Sequence, residues 1–215
     1  MVKIENICTK RVYNLYIQCK QKQPSCILKW MSDFPSSIGS DHELWADIFR
    51  LPFIVSRETV LQTFQYKLIH RLITCKKKLY DMRIAGDPNC LYCTGTDTLL
   101  HFFLFCPKIA AFWKYFFNWW NTLGDIEITT EYDNLEECIL FGFEAEGGSF
   151  KVLNYCVLIA KYYIYLNRIH NNNSIDNYQY LVYLKSKLTI EKKVCSHYRQ
   201  NGNNFDMFEF VYDQL

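Results

Sequence analysis

The stretch CLYCTGTDTLLHFFLFCPK, residues 90–108, decides the fold of this chain. It contains four soft metal ligands in the order C-x2-C-x7-H-x4-C, namely Cys90, Cys93, His101 and Cys106. The two-residue gap between the first cysteines lets one turn direct both sulfurs to a single point. Three thiolates and a neutral imidazole make up a closed tetrahedral shell for zinc. We therefore predict that these side chains bind one structural Zn²⁺ ion.

Turn-forming residues around the first two cysteines favour this interpretation. Gly86-Asp87-Pro88-Asn89 precedes the first cysteine and Thr94-Gly95-Thr96 follows the second, so the chain must turn between them. The apolar run Leu99–Phe105 predicts about two turns of helix with His101 on one face, and Pro107 suits the first turn of a further helix. The alternative is a chance order of buried or unpaired side chains, since ten cysteines make some close pairs inevitable.

The same motif argues against an enzyme. Catalytic zinc keeps an open coordination position with a carboxylate base beside it, whereas the predicted ligands close the shell. Asp97 is the only acidic residue within the motif, so hydrolytic or deaminase chemistry is not expected. His70, which precedes Arg71 on a predicted helix, has no assignable Ser or Cys nucleophile with an orienting carboxylate. A capped or half-buried histidine is the simpler interpretation.

Matches to one known family extend on both sides of the metal motif. They comprise Phe64-Gln65-Tyr66-Lys67-Leu68-Ile69-His70-Arg71, Lys78-Leu79, the predicted metal ligands, residues 106–113 (CPKIAAFW), Glu43-Leu44-Trp45, Ile139-Leu140-Phe141-Gly142 and Ala160-Lys161-Tyr162-Tyr163-Ile164-Tyr165. With these residues the chain resembles the C-terminal cysteine-rich (CCHC zinc) region of non-LTR, LINE-type, retrotransposon reverse transcriptases. The match covers most of the chain, loosely outside the metal motif. One departure is Phe105, at a position where the family commonly has Trp.

The resemblance implies a function. In that family the tail follows the polymerase domain, binds zinc and helps to engage element RNA and target DNA during target-primed reverse transcription. It also implies that His70 packs against the zinc module or touches phosphate. The family's polymerase and endonuclease motifs do not occur here, and the chain has no Asp-Asp pair to hold two catalytic metal ions. We therefore expect a non-catalytic module, present as a truncated copy, a separately encoded tail or a decayed relic.

Composition indicates a folded chain in a reducing compartment. Half of the 215 residues are hydrophobic, which is enough to bury a substantial core. Residues 1–6 are charged and contain no apolar run of the length that a secretion signal needs. We expect an intracellular location, in the cytoplasm or nucleus, where the cysteines stay reduced. The most apolar run, Leu153–Leu166, is too short to span a membrane and contains Lys161, so no membrane association is expected.

Apolar residues recur at helical spacing along almost the whole chain. Ser40-Asp41-His42-Glu43 has the form of a capping box at the start of one helix. Four further apolar faces are predicted: Val60, Leu61, Phe64, Leu68 and Leu72; Ile109, Phe112, Trp113, Phe116 and Trp120, ending at Gly124; Leu153, Cys156, Val157, Ala160 and Ile164; and, more weakly, Tyr178, Leu181, Val182 and Leu188. We predict a mostly α fold, in which helical modules surround a single zinc-stapled loop.

Three segments follow from this spacing. We predict an N-terminal helical segment at 1–55, a helix–zinc knuckle–helix core at 56–124 and a C-terminal helical segment at 150–215. Residues 144–149 form a candidate linker between the last two segments, because Gly-Gly and Ser interrupt the helical pattern there.

Local charge indicates nucleic-acid binding. The formal net charge of +2 predicts no strong affinity for a polyanion by itself. From Lys67 to Arg83, however, six basic residues stand against Asp81 alone, and from Lys185 to Arg199 five stand against one acidic residue. The predicted contacts to RNA or single-stranded nucleic acid are Lys67, Arg71, Lys76, Lys77, Lys78 and Arg83 for phosphates, with Tyr92, and Tyr80 near it, for base stacking. The alternative is a solvated helix face with a structural tyrosine.

A second function class remains open at this point. The aromatic helix from Ile109 to Trp120 would suit a protein-interaction module, in which this face docks on a partner such as a reverse transcriptase domain. Phosphate binding would weaken with added salt, whereas docking of an aromatic face would barely respond.

Overall fold

The computed structural model describes residues 9–10, 13, 16, 24–36, 38–123, 127–129, 132, 134–143, 148–172, 174–197, 211–213 and 215. Over these residues the chain is mostly helical, which confirms the predicted fold class. The chain divides into two compact units, residues 1–40 and residues 41–215. The second unit contains parts of all three predicted segments.

In the first unit, helix α1 spans Ser25–Asp33. Pro24 directly precedes it. A proline is tolerated at the start of a helix because the first N–H groups there have no partner within the helix, so its missing N–H costs no hydrogen bond. Trp30 is fully buried, and its ring stacks on Phe34 with the centroids 6.3 Å apart.

The second unit is built around one long helix. Its elements are α2 (His42–Val55), α3 (Thr59–Ile69), α4 (Lys76–Asp81), a π-helical turn (His101–Phe105), α5 (Pro107–Asn121), α6 (Leu135–Phe141), α7 (Gly148–Ile169) and α8 (Asn177–His197). Helix α7 packs against α2, α3 and α8, and α5 packs against α8 and the π-helical turn. The segment between α4 and the π-helical turn is the metal loop, and its only described strand pairing is the isolated bridge between Asn89 and Thr96.

Helix α7 is buried on almost every side. The predicted face of Leu153, Cys156, Val157, Ala160 and Ile164 is buried as expected, and so are residues between them on other faces. A helix that is apolar all round belongs in the middle of a fold. Within the described residues, no helix combines the length and the apolar character that a membrane span requires.

The start of α2 differs from the predicted capping box. Asp41 is the cap, because its Oδ1 accepts a hydrogen bond from the Glu43 N–H at 3.0 Å. The helix begins at His42, one residue later than a box headed by Ser40 would place it. A carboxylate at this position also interacts favourably with the positive end of the helix dipole.

Two predicted apolar faces are partly wrong. On α3, Leu61, Phe64 and Leu68 are buried, but Val60 is 54% exposed and Leu72 lies beyond the helix end, 53% exposed. On α8, Leu188 is buried as predicted, but Tyr178 and Val182 are exposed, and the buried Tyr180 and Leu184 were not part of the predicted face. The apolar residues of α8 are distributed around the whole helix, so their spacing alone is compatible with more than one buried face.

Helix α5 supplies much of the aromatic core. All five predicted residues, Ile109, Phe112, Trp113, Phe116 and Trp120, are buried. Its Trp113 Nε1 donates to the Phe103 carbonyl at 2.7 Å, and Phe112 meets Tyr180 of α8 edge to face at 5.3 Å. The aromatic face predicted for partner docking is therefore internal. The predicted end of this helix at Gly124 lies outside the described residues, as does most of the candidate linker at 144–149.

Candidate metal centre

The ligand atoms of Cys90, Cys93, His101 and Cys106 all lie within 4.8 Å of one another. The Cys90 and Cys106 sulfurs are 3.8 Å apart, the Cys93 and Cys106 sulfurs 4.0 Å, and the Cys93 sulfur is 3.2 Å from His101 Nε2. Tetrahedral zinc, with Zn–S near 2.3 Å and Zn–N near 2.0 Å, separates its ligand atoms by about 3.5 to 3.8 Å. The donor set and its spacing fit a four-coordinate metal ion.

The first two cysteines lie on a tight knuckle whose backbone points at the sulfurs. The Tyr92 N–H donates to Cys90 Sγ at 3.3 Å, and the Gly95 N–H donates to Cys93 Sγ at 3.4 Å. The Cys90 N–H in turn donates to the Gly95 carbonyl at 2.8 Å, which closes the knuckle. Such N–H donors favour the thiolate, the form of cysteine that binds metal.

Gly95 makes room for the imidazole. A Cβ atom at this position would lie 2.9 Å from His101 Cε1 and 3.5 Å from Cys93 Sγ. The first distance is shorter than real Cβ contacts. The glycine is therefore required by the close approach of the knuckle to the histidine ligand.

The other two ligands are set by a π-helical turn. The Cys106 N–H donates to the His101 carbonyl at 3.1 Å, five residues back, and His101 is itself held by a bond from its N–H to Thr98 Oγ1. Residues five apart on an α-helix point about 140° apart, given 3.6 residues per turn. The wider π turn brings both ligands to one side. The predicted helical run Leu99–Phe105 is helical, and from His101 onward the helix is of the π type.

Arg168, in the last turn of α7, is far from the metal loop in sequence but contacts it in the fold. Its Nη1 donates to Cys90 Sγ at 3.1 Å and to Asp97 Oδ1 at 2.8 Å, and its Nη2 lies 3.4 Å from the Phe102 carbonyl. The guanidinium carbon is 4.6 Å from the ring centroids of both Tyr92 and Phe102. Arg168 is only 6% exposed.

Asp97 joins the metal loop to helix α4. Its side chain is buried, and its Oδ2 accepts from the Lys76 N–H at 2.9 Å while its carbonyl accepts from the Lys77 N–H at 3.2 Å. The Asp97 N–H donates to the Pro88 carbonyl at 2.8 Å. With the ion pair to Arg168, this one residue connects the loop, α4 and α7.

The local environment shifts the pKa values of the ligand side chains in different directions. Burial raises the pKa of the Cys106 thiol to about 11. Burial acts in the same direction at Cys90, but the Tyr92 N–H and the charge of Arg168 outweigh it, and the pKa of Cys90 lies below its ordinary value. Burial, helped by Arg168, lowers the pKa of His101. The imidazole is thereby kept neutral, as metal binding requires.

The predicted phosphate-binding lysines lie at the start of α4. Lys76, Lys77 and Lys78 are half-buried, and the Lys78 Nζ donates to the Arg71 carbonyl at 3.1 Å. The Lys77 Nζ pairs with Asp81 one turn on, and the Lys76 Nζ lies 3.9 Å from Asp87 Oδ1. Their ammonium groups therefore lie close to two partly exposed carboxylates.

The other predicted phosphate contacts flank this helix. Lys67 is exposed in the last turn of α3, and Arg83 is exposed just after α4. Arg71 and Arg83 both adopt positive φ, 56° and 59°, so each marks a sharp change of direction next to a helix end. These basic residues all belong to segment 67–83, in which the Lys78 Nζ contacts the Arg71 carbonyl.

Tyr92 does not present its ring to solvent. The residue is 8% exposed, with the Arg168 guanidinium against the ring and Lys108 Nζ 5.6 Å from its centroid. Burial raises the pKa of Tyr92 to about 12. This burial disagrees with the prediction that Tyr92 stacks on unpaired bases. Tyr80, on α4, is 47% exposed.

His70 packs away from the metal loop. Its ring centroid is 5.2 Å from that of Phe49 on α2 and 4.2 Å from that of Tyr66 on α3. Burial lowers the pKa of His70. The residue contributes to the packing of α2 on α3, in keeping with the interpretation as a half-buried histidine.

The second basic cluster is partly used in packing. Lys187 Nζ pairs with Glu58 Oε2 at 2.6 Å, while Lys185 and Lys192 lie near the Tyr212 ring at 5.8 and 4.6 Å from its centroid. Arg199 lies outside the described residues.

Sequence reasoning missed Arg168 altogether and noted Asp97 only as an isolated acid. Arg168 is 78 residues from Cys90, so no local spacing connects the two. One indication was available: an arginine at the end of a long apolar helix, whose burial would require a carboxylate or a thiolate partner.

Among the described residues, the four predicted ligands are the one group of Cys, His and acidic side chains that could hold a metal ion. The site has three sulfurs and one nitrogen, a set that suits zinc more than hard, oxygen-seeking cations. Comparison with known proteins gives no family model that matches the chain and no curated protein that matches it. The geometry of the site is therefore the direct evidence for its function.

Proposed function

We propose that this chain is a non-catalytic module whose Cys90, Cys93, His101 and Cys106 bind one structural Zn²⁺. The observation that carries the proposal is the convergence of three sulfurs and one imidazole nitrogen within 4.8 Å. All four tetrahedral positions are taken by protein atoms, a closed arrangement typical of structural rather than catalytic zinc.

The metal acts as a staple for the loop. Between the end of α4 at Asp81 and the π-helical turn at His101, the chain makes turns and a single bridge rather than a regular element. A loop of this kind buries little apolar surface, and the free energy of metal binding becomes free energy of folding. Zinc ties the knuckle to the turn that precedes α5.

We further propose that segment 67–83 binds RNA or single-stranded nucleic acid. Its support is the succession of six basic residues within this one stretch of sequence, of which Lys67 and Arg83 are exposed: Lys67, Arg71, Lys76, Lys77, Lys78 and Arg83. Exposed apolar side chains lie among these cations: Tyr80, Met82 and Ile84 are 47%, 57% and 71% exposed. Phosphate contacts from cations and base contacts from apolar or aromatic side chains are the usual elements of single-strand recognition.

The resemblance to LINE-type reverse transcriptases supplies the cellular role in this proposal. The module would support target-primed reverse transcription beside a reverse transcriptase domain, with polymerase chemistry residing in that partner. A protein-interaction role through the aromatic helix α5 has less support, because the side chains that it needs are buried.

Fluorescence anisotropy of the zinc-loaded protein with a short single-stranded RNA tests the binding proposal. We expect a linear fall of log K with log salt, of slope about −0.7 for each phosphate neutralised. A K67E/R83E variant reverses two exposed charges of segment 67–83 and should bind at least about tenfold more weakly, with a slope shallower by about 1.4.

The matched control is K29E/K114E, which reverses two exposed lysines elsewhere in the chain. Equal losses in both variants would show that binding follows overall charge and would contradict the proposed surface. No binding at low salt would contradict the nucleic-acid role. The zinc site would be unaffected by that result, because it is tested separately by measuring the zinc content of the protein.

A further inference from the structure

Arg168 contacts both halves of the ligand set. On the knuckle side its Nη1 donates to Cys90 Sγ at 3.1 Å and its guanidinium lies against the Tyr92 ring. On the other side it lies against the Phe102 ring, which directly follows the His101 ligand, with Nη2 3.4 Å from the Phe102 carbonyl. A single planar group therefore lies between the knuckle and the π-helical turn.

We infer that Arg168 is a positioning residue of the metal centre, which fixes the Cys90 thiolate and couples metal binding to helix α4 through Asp97. The inference rests on the proposed zinc site and adds to it a residue outside the motif. Nothing in the C-x2-C-x7-H-x4-C spacing points to α7.

Charge supports this assignment. Zinc with three thiolates and a neutral imidazole carries a net charge of about −1. A buried charge needs a partner and hydrogen bonds. Arg168 supplies both at Cys90, and donors of this kind orient a ligand and tune its basicity.

Geometry makes the arginine specific. Its planar fork donates in several directions at once and stacks on aromatic rings, which a lysine ammonium cannot reproduce. Here one nitrogen serves Cys90 and Asp97 while the plane lies against Tyr92 and Phe102. Lysine at this position would keep the charge and lose most of these contacts.

Asp97 connects Arg168 to helix α4. Its Oδ1 accepts from Arg168 and its Oδ2 accepts from the Lys76 N–H, so the two oxygens of one carboxylate join the metal centre to the first turn of α4. Helix α4 has only six residues and no buried side chain of its own. A helix so short depends on tertiary contacts, and this contact comes from the metal loop. By linkage, metal binding and the ordering of α4 favour each other.

The test compares three variants for metal binding. Affinity is measured by competition with a chromophoric chelator, and the site is read directly by the thiolate-to-Co²⁺ charge-transfer bands of the cobalt-loaded protein. Arg168→Met should weaken metal binding about 10- to 100-fold and shift these bands. Arg168→Lys keeps a basic side chain at this position but should also bind the metal more weakly. It provides the same test if the Met variant does not fold.

Lys161→Met is the matched control. Lys161 is a buried lysine two turns earlier on the same helix, and its Nζ donates to the Leu140 carbonyl rather than to the metal loop. This variant should keep wild-type metal affinity and wild-type cobalt bands. A loss equal to that of the Arg168 variants would mean that any disturbance of α7 weakens the site, and would overturn the inference.

Hydrogen exchange measures the coupling to α4. Zinc should slow the exchange of the amides of Lys76 and Lys77, which donate to Asp97, in the wild type, and this effect should shrink in Arg168→Met and Arg168→Lys. Wild-type affinity and bands in both Arg168 variants would overturn the inference while leaving the zinc site intact. A wild-type protein that binds neither zinc nor cobalt would contradict the proposed function itself, and the inference with it.

Discussion

At Gly95 the predicted metal centre leaves no space for a larger side chain. We predict that Gly95→Ala weakens zinc binding about 10- to 100-fold, because the added methyl would lie 2.9 Å from His101 Cε1 and the ring cannot move without leaving the metal. Chelator competition measures the effect.

Gly86→Ala is the control for this prediction, since nothing lies within 4 Å of a Cβ atom there. Its zinc affinity should equal that of the wild type. An unchanged affinity in Gly95→Ala would show that the imidazole lies farther from the knuckle than the structure places it.

Lys161 gives a second prediction at the scale of one residue. Burial lowers its pKa from 10.5 to about 7. Between these values the unfolded chain binds a proton that the folded chain does not, so this group makes the free energy of unfolding rise with pH through the window from about 7 to 10. Lys161→Met removes that contribution and should be at least as stable as the wild type near pH 6, because the Leu140 carbonyl still accepts from Gln65 Nε2 at 2.7 Å.

Urea unfolding of both proteins between pH 6 and 9 measures the difference. The stability of the variant relative to the wild type should be greatest at pH 6 and should shrink as the pH rises. Parallel curves would show that the lysine titrates at the same pH in the folded and unfolded chains.

The metal ligands were predictable because their information is local. Four residues within one short stretch need only a turn and a short helical segment to converge. Arg168 and Asp97 were not predictable in the same way, since their contact joins elements 71 residues apart. Tyr92 illustrates the same limit: its place in the knuckle was evident from sequence, but the arginine that covers its ring was not.

Helix α4 begins at a cap that the metal loop provides. We predict that Asp97→Ala destabilises the protein by about 3 to 5 kcal/mol, because it leaves the buried Arg168 charge without its carboxylate partner. Chemical denaturation of the zinc-loaded protein measures the change. Asp81→Ala, which removes a surface pair with Lys77, should change stability by less than about 1 kcal/mol.

Apolar spacing located the helices α2, α3, α5, α7 and α8, but it was less informative about which of their faces are buried. The spacing is informative for α5 and α7, whose predicted residues are buried. It fails at α8, where Tyr178 and Val182 are exposed and Tyr180 is buried. The deciding contact there is tertiary: the Tyr180 hydroxyl donates to the Cys156 carbonyl of α7 at 3.1 Å. The π-helical turn was also beyond prediction, because apolar spacing over five residues does not distinguish a π-helix from an α-helix.

At the scale of the whole unit, zinc should stabilise more than its own loop. Arg168 ties the loop to α7, which packs against α2, α3 and α8. We predict that the melting temperature rises with free zinc, by an amount equivalent to about 2.7 kcal/mol at a concentration 100 times the Kd. Differential scanning calorimetry at several buffered zinc concentrations measures it.

Cys106→Ser should abolish most of this zinc dependence, and Cys138→Ser, a half-buried cysteine outside the site, should retain it. A Cys106→Ser protein with wild-type metal content and melting temperature would refute the staple. A zinc effect confined to the exchange of loop amides, with no change in melting temperature, would show that the loop and the helical core unfold separately.

The distance along the chain between Cys106 and Arg168 also sets an order of events during synthesis. Arg168 follows Cys106 by about 60 residues, which at roughly 5–20 residues per second corresponds to about 3 to 12 s of translation. All four predicted ligands are made before Arg168, which contacts the Cys90 sulfur. A metal ion that the nascent chain took up in this interval would therefore be bound before the arginine reaches the site.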